Sequence, residues 1–198
     1  MASFVAMAGP RLYTGAMVPA ATMTADELLH LHLPGKRTEL VKGVLRVSEP
    51  PGFRHGLVSA RLAKVLMIHV DAAGLGTVVI GDTGFWLERG PDTVRGPDVA
   101  FIRRERAPDP TTAGYAELAP DLVVEVLSPN DRPGEVLATV GDWLSAGSRL
   151  VWVVDPERRL ARVYRADGRE SLVAETGVLD GEAVVPGFSC GLAALFEA

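Results

Sequence analysis

Hydrophobic and polar positions along the chain place most of its elements. Thr24-Ala25-Asp26-Glu27 has the form of a capping box, with Thr24 as N-cap and Glu27 three residues on. It predicts a short helix from Ala25 to Leu31, ended by Pro34-Gly35. Thr38 to Val41 and Val44 to Val47 flank Lys42-Gly43, the pattern of a tight β-hairpin with Gly43 in its turn. From His55 to about Ala73, the residues Val58, Leu62, Val65, Leu66 and His69 recur at helical spacing and share one face. His55 opens that inward face, Arg61 and Lys64 point away from it, and Gly74 and Gly76 close the helix.

Short strands are expected over Thr77–Ile80, Phe85–Leu87 and Val99–Ile102, followed by a polar, proline-containing loop from Arg103 to Thr112. Leu122 to Leu127 is apolar and β-branched, as in a strand buried on both faces. Ser128 to Pro133 turns the chain into a helix from about Pro133 to Ala146, stopped by Gly147, and Leu150–Val154 is the next buried strand. Strand, helix and strand in this succession predict a right-handed βαβ crossover joining parallel neighbours. Arg162–Tyr164, Ser171–Ala174 and Ala183–Val185 read as β-ribbon pieces, and Gly191–Ala198 as a short terminal helix. The pattern predicts an α/β (α+β) fold, a mixed central sheet flanked by helices, with an N-terminal helix and β-hairpin. One domain is expected over residues 23–198, after a flexible leader over residues 1–22.

Two of these strands carry a charge where a buried strand would exclude one. Asp98 opens Asp98-Val-Ala-Phe-Ile102, and Glu125 interrupts Leu122-Val-Val-Glu-Val-Leu127. An isolated charge in apolar surroundings is costly unless something compensates it. Glu39, on the first hairpin strand, is a third carboxylate among apolar neighbours. If the three converge, repulsion raises at least one pKa, and a divalent cation relieves it. Magnesium takes oxygen ligands, one or two of them carboxylates, and such a site can activate water against a phosphodiester. Pairing with arginine is the other way to settle such carboxylates.

Composition narrows the field. With 47% hydrophobic residues the chain can fill a packed core. A net charge of −5 argues against coating nucleic acid through charge alone, though not against a local basic rim. Arg103, Arg104 and Arg132 are the candidate phosphate contacts. The single cysteine, Cys190, forms no internal disulfide and reads as a small buried residue. That fits a reducing, cytoplasmic compartment. Residues 1–22 lack the unbroken apolar core of a secretory signal, and no run of eighteen apolar residues predicts a membrane span. Gly81-Asp82-Thr83-Gly84 contains a tripeptide known from aspartic proteases, but in one copy and the wrong context.

The motifs then fall into a familiar order. Arg37-Thr38-Glu39-Leu40, His55, Gly96-Pro97-Asp98-Val99, Pro120 through Glu125 to Pro129, Asp131-Arg132 and Leu150 to Pro156 resemble the Uma-type restriction endonucleases of the PD-(D/E)XK nuclease superfamily. The resemblance runs from about Thr24 to the C-terminus. It implies a restriction-endonuclease-like core and a magnesium- or manganese-dependent attack of water on DNA. It also implies that Asp98 and Glu125 hold the metal, that Glu39 completes the carboxylate set, and that His55 matches a histidine opening the following helix. A homodimer is expected, since two sites are a natural way to cut both strands.

One departure stands out. The superfamily places a lysine two residues after the second acidic position, here Leu127. In the Uma-type family that lysine has migrated to the following helix, and the matching position is Thr139. Arg132 belongs to the family pattern already, Lys64 faces away, and Lys42 differs from Glu39 in strand parity, so no substitute is evident. Losing one preorganised charge stabiliser costs roughly a hundred- to thousandfold in rate. The expectation is weak or absent cleavage of duplex DNA, raised by Thr139→Lys. The alternative is a degenerate nuclease fold serving as a non-catalytic DNA-binding or protein-interaction module.

Overall fold

A computed structural model describes residues 22–197. The expected leader therefore lies outside the described residues, apart from Thr22. Helix α1 spans Ala25–His30, and both bonds of its capping box form, from Glu27 N to Thr24 Oγ1 and from Thr24 N to Glu27 Oε2. Strands β1 (Arg37–Val41) and β2 (Val44–Ser48) make the hairpin. Lys42 and Gly43 in its turn both have positive φ, as a two-residue turn matching the strand twist requires.

Helix α2 (Phe53–Ala73) starts two residues before the expected His55 and buries His55, Val58, Leu62, Ala63, Leu66 and Val70. Next come β3 (Gly76–Ile80), β4 (Phe85–Glu88), β5 (Thr93–Arg95) and β6 (Val99–Arg103). A single 3-10 turn (Arg104–Arg106) follows. Strand β7 is Leu122–Val126, helix α3 Pro133–Ser145 and strand β8 Leu150–Asp155. The chain closes with β9 (Leu160–Arg165), β10 (Glu170–Val173), β11 (Val178–Asp180), β12 (Ser189–Gly191) and a 3-10 turn over Leu192–Leu195.

Two sheets organise the site. The smaller has the order β2-β1-β5-β4, and the larger β10-β9-β8-β7-β6-β3. In the larger sheet β7 and β8 run parallel, as the crossover through α3 predicts, while the other pairs are antiparallel. Side chains alternate across a strand. Val124 and Val126 accordingly join Leu62 and Leu66 of α2 in one core, while Val123 joins Val140 and Trp143 of α3 in another. The same alternation turns Glu125 toward α3. A third cluster, Ala25, Leu28, Leu40 and Val94, ties α1 to the smaller sheet. Among the described residues no helix is long and apolar enough to cross a membrane.

Three readings need correction. Strand β5 is absent from the sequence reading, because three residues are too short to show an alternation. Ala183–Val185 is a turn, closed by bonds from Val184 N and Val185 N to Gly181 O; the late ribbon is β11 with β12. Gly191 pairs with Val178 in that ribbon, so the terminal helix shrinks to the 3-10 turn. Cys190 is buried as expected, and burial raises its thiol pKa.

Candidate nuclease centre

Asp98 and Glu125 face each other across two neighbouring strands. The register pairing Phe101 with Leu122, Ala100 with Val123 and Val99 with Val124 continues to set Asp98 opposite Glu125. Like charges in that relation repel. Asp98 is buried, and its Oδ2 accepts the backbone N–H of Val126 at 2.7 Å. His55 Nε2 also meets Oδ2, at 3.1 Å, across the start of α2. His55 Nδ1 is buried with no partner among the described residues. Among the described residues Asp98 Oδ1 accepts no hydrogen bond, and its nearest cation is Arg37, 3.6 Å away.

Glu125 Oε1 accepts a hydrogen bond from Trp143 Nε1 of α3 at 2.8 Å, while Oε2 has no hydrogen-bond partner among the described residues. Burial, with the charges of Asp98 and Glu39 nearby, pushes the Glu125 pKa well above the usual carboxylate range. Trp143 and Arg37 pull in the opposite direction without reversing it.

Glu39 comes from the other sheet. Its Oε2 accepts Arg95 Nη1 at 2.7 Å and its Oε1 accepts Gly96 N at 3.0 Å. Arg95, only 8% exposed, also reaches Asp142 of α3, through Nε at 3.1 Å and Nη2 at 2.5 Å. Burial opposes the Arg95 charge, but Glu39 and Asp142 together hold its pKa above the ordinary value. Gly96 packs against Asp82, whose carbonyl oxygen would lie 3.0 Å from any added Cβ, so a side chain there would force the two segments apart. Gly96 and Pro97 are the link between Arg95 of the smaller sheet and Asp98 at the edge of the larger.

Glu39, His55, Gly96, Asp98 and Glu125 line one cleft of about 580 Å³, together with Arg37, Arg132, Glu135 and Thr139. Arg132 is the N-cap residue of α3 and lies at the rim, 3.8 Å from Glu135. Thr139 lines the cleft, so the position expected for a lysine does face the site; its Oγ1 donates to Glu135 O at 3.1 Å. Leu127 packs with the α3-side core.

Arg103 and Arg104 are not part of this assembly. Arg103 ends the strand that Asp98 leads, roughly 16 Å away at strand rise. It donates to Ala183 O, and Arg106 pairs with Asp121 at 2.8 Å. Strand direction, which carries the two ends of β6 apart, removes Arg103 and Arg104 from the candidate phosphate contacts of this cleft.

Arg95, Arg37, Asp82 and Asp142 lie in or behind the site without having been picked out from the sequence. Arg37 stands in the quoted Arg37-Thr38-Glu39 motif, two residues before Glu39 and therefore on the same side of β1. That parity was the available signal.

Residues 25–194 match the family model Uma2, described as "Putative restriction endonuclease". The chain belongs to this family. The match takes in the Uma2 hairpin, both central carboxylates and α3. Among solved structures, the Uma2 chain is similar to "a putative nuclease belonging to DUF820 from Anabaena variabilis". The TM-score is 0.78 and the identity 20%, over 88% of this chain and 97% of that one. At that identity the likeness speaks for the restriction-endonuclease-like fold of this Uma2 member. No curated protein matches the sequence.

Proposed function

We propose that this Uma2 protein is a divalent-metal-dependent DNA endonuclease acting at the cleft of Asp98 and Glu125. The observation that carries the proposal is the pair of unused carboxylate oxygens, Asp98 Oδ1 and Glu125 Oε2, on residues set opposite each other across β6 and β7. No three His, Cys, Asp or Glu side chains among the described residues form a ready-made cage. The donor set is therefore two hard oxygens with water to complete the shell, which suits Mg2+ or Mn2+ and neither zinc nor a soft metal. Bound there, such an ion supplies Lewis-acid stabilisation of phosphoryl oxygen and lowers the pKa of water.

Protein side chains do the rest. Asp98 is fixed by Val126 N and His55, and Glu125 by Trp143, so both carboxylates are aimed before DNA arrives. Glu39 spends both oxygens on Arg95 and Gly96, and its part is to seat the segment that delivers Asp98. In the reaction a water oxygen bonds to phosphorus, one P–O ester bond breaks, and the departing oxygen gains a proton as the water loses one. Arg132, at the rim, is the remaining candidate for a contact to the DNA backbone outside the reacting phosphate.

A second reading, a metal-binding fold without turnover, draws on Leu127 and Thr139 standing where lysine is expected. One assay separates the two: cleavage of supercoiled, linear and single-stranded DNA with Mg2+ or Mn2+, native protein against Asp98→Ala. The endonuclease reading expects slow, metal-dependent nicking that Asp98→Ala abolishes. Nicking that persists in Asp98→Ala would refute the site assignment, and metal binding without any cleavage would favour the second reading.

A further inference from the structure

The cleft contains a cation that neither lysine position accounts for. Arg37 projects from β1 beside Glu39, with its side chain 25% exposed. Its Nη2 forms an ion pair with Asp82, donates to Gly96 O at 3.5 Å and lies 3.6 Å from Asp98 Oδ1. A guanidinium has five N–H donors in a rigid fork and stays charged at any working pH. All three contacts run through Nη2. Among the described residues, Nε and Nη1 have no hydrogen-bond partner, neither is fully buried, and Arg37 lines the cleft.

Arg132, at the cleft rim, and Arg95, behind the cleft, do not match this. Arg95 is saturated by Glu39 and Asp142. Arg132 has a side chain 80% exposed and, among the described residues, pairs only with the similarly exposed Glu135, so its charge is not held in place. Arg37 alone combines a fixed position, spare donors and the oxygen of Asp98 that is free for a cation.

We infer that Arg37 supplies the positive charge that this lysine-less site lacks, its free N–H groups contacting a non-bridging oxygen of the DNA phosphate seated beside Asp98. The inference rests on the endonuclease reading and adds a catalytic residue to it. Arg37 makes and breaks no bond. It offsets the negative charge on the phosphoryl oxygens as the water attacks, and Asp82 keeps it from needing to reorganise at that moment.

The test compares Arg37→Gln and Arg37→Lys with the native chain in two measurements. In Mg2+, Arg37→Gln should cut about a hundred- to thousandfold more slowly, and Arg37→Lys should recover part of that loss. In Ca2+, with a short DNA duplex, the slope of log binding constant against log salt should fall by about one for Arg37→Gln and stay unchanged for Arg37→Lys. A merely structural role would not move that slope. A folded Arg37→Gln that cuts at the native rate, or binds with the native slope, overturns the inference. Should Arg37→Gln fail to fold, Asp82→Asn replaces it. Without the carboxylate that holds it, Arg37 is no longer preset, so cleavage should slow by about tenfold, a fraction of the loss on removing the cation itself, and a native cleavage rate overturns the inference. If the native chain cuts no DNA at all, the endonuclease reading fails by itself, and the salt slope still decides whether Arg37 meets phosphate.

Discussion

Trp143 Nε1 donates to Glu125 Oε1 at 2.8 Å, and the residue before it, Asp142, grips Arg95, which in turn grips Glu39. Two consecutive positions of α3 thus orient the two carboxylates that come from different sheets. The helix reaches Glu125 through an indole N–H, and Glu39 through its own Asp142 carboxylate by way of the Arg95 guanidinium. Partners of this kind govern how well a site holds its ligand geometry.

Replacing Trp143 by Phe keeps most of the buried ring and removes the N–H. Glu125 then loses the bond that fixes its carboxylate and draws its pKa down. Affinity for Mn2+ should fall roughly tenfold to a hundredfold, as for other partners that orient a ligating group. Calorimetric titration of native and Trp143→Phe protein measures this, and equal affinities would show that the indole is only filling space.

Arg95→Leu should be the most destabilising single change near the cleft. It strands Glu39 and Asp142, whose side chains are 29% and 26% exposed. Breaking a fully buried pair costs about 3–5 kcal/mol, and the partial exposure here brings the expectation to roughly 2–4 kcal/mol. For a chain of this length that is a drop of roughly 5–15 °C in melting temperature. Thermal melts settle it; Asp142→Asn, which leaves Arg95 paired with Glu39, should lose distinctly less.

Glu125 gives the metal-free protein a pH dependence. Its pKa is higher in the folded chain than in the unfolded one, so between those two values the folded state binds more protons. Stability therefore falls as pH rises through that window. Glu125→Gln removes the effect. The melting temperature of the variant minus that of the native chain, both in chelator, should increase from the ordinary glutamate range upward and level off once Glu125 is ionised in both states. A flat difference across that range would contradict the placement of Glu125.

Thr139→Lys tests how the site is charged. Thr139 faces the cleft from α3, so a lysine there can reach the carboxylates. In the native background, where Arg37 already stands beside Asp98, the rate should rise by less than about tenfold. In Arg37→Gln the same lysine should recover most of a loss of about a hundred- to thousandfold. Single-turnover cleavage by the four proteins measures both, and a lysine that helps equally in both backgrounds would mean the two positions serve different purposes.

Much of this site could be read before any coordinates. Asp98 and Glu125 were legible because each interrupts a short apolar run, and charges are scarce in such runs. The hairpin was legible from Lys42-Gly43, and the parallel pair of β7 and β8 from the helix between them. Arg95 was not. It ends a three-residue strand, and its partners Glu39 and Asp142 lie 56 and 47 residues away, so nothing local announces the network. Arg103 and Arg104 illustrate the converse: a local run of arginine proposes a phosphate contact, and only the direction of β6 reveals that the run sits at the other end. The motif leads one to expect a lysine, whereas the cation beside Asp98 is Arg37, two residues before Glu39 on β1.

The division of the carboxylates between two sheets has a further consequence. Glu39 belongs to one sheet and Asp98 and Glu125 to the other, and Gly96 and Pro97 form a covalent joint between them at the cleft. The cleft is thus a seam, and it closes only when both pieces of the molecule are seated against each other. A site assembled this way depends on how the two sheets are seated as well as on the core of either.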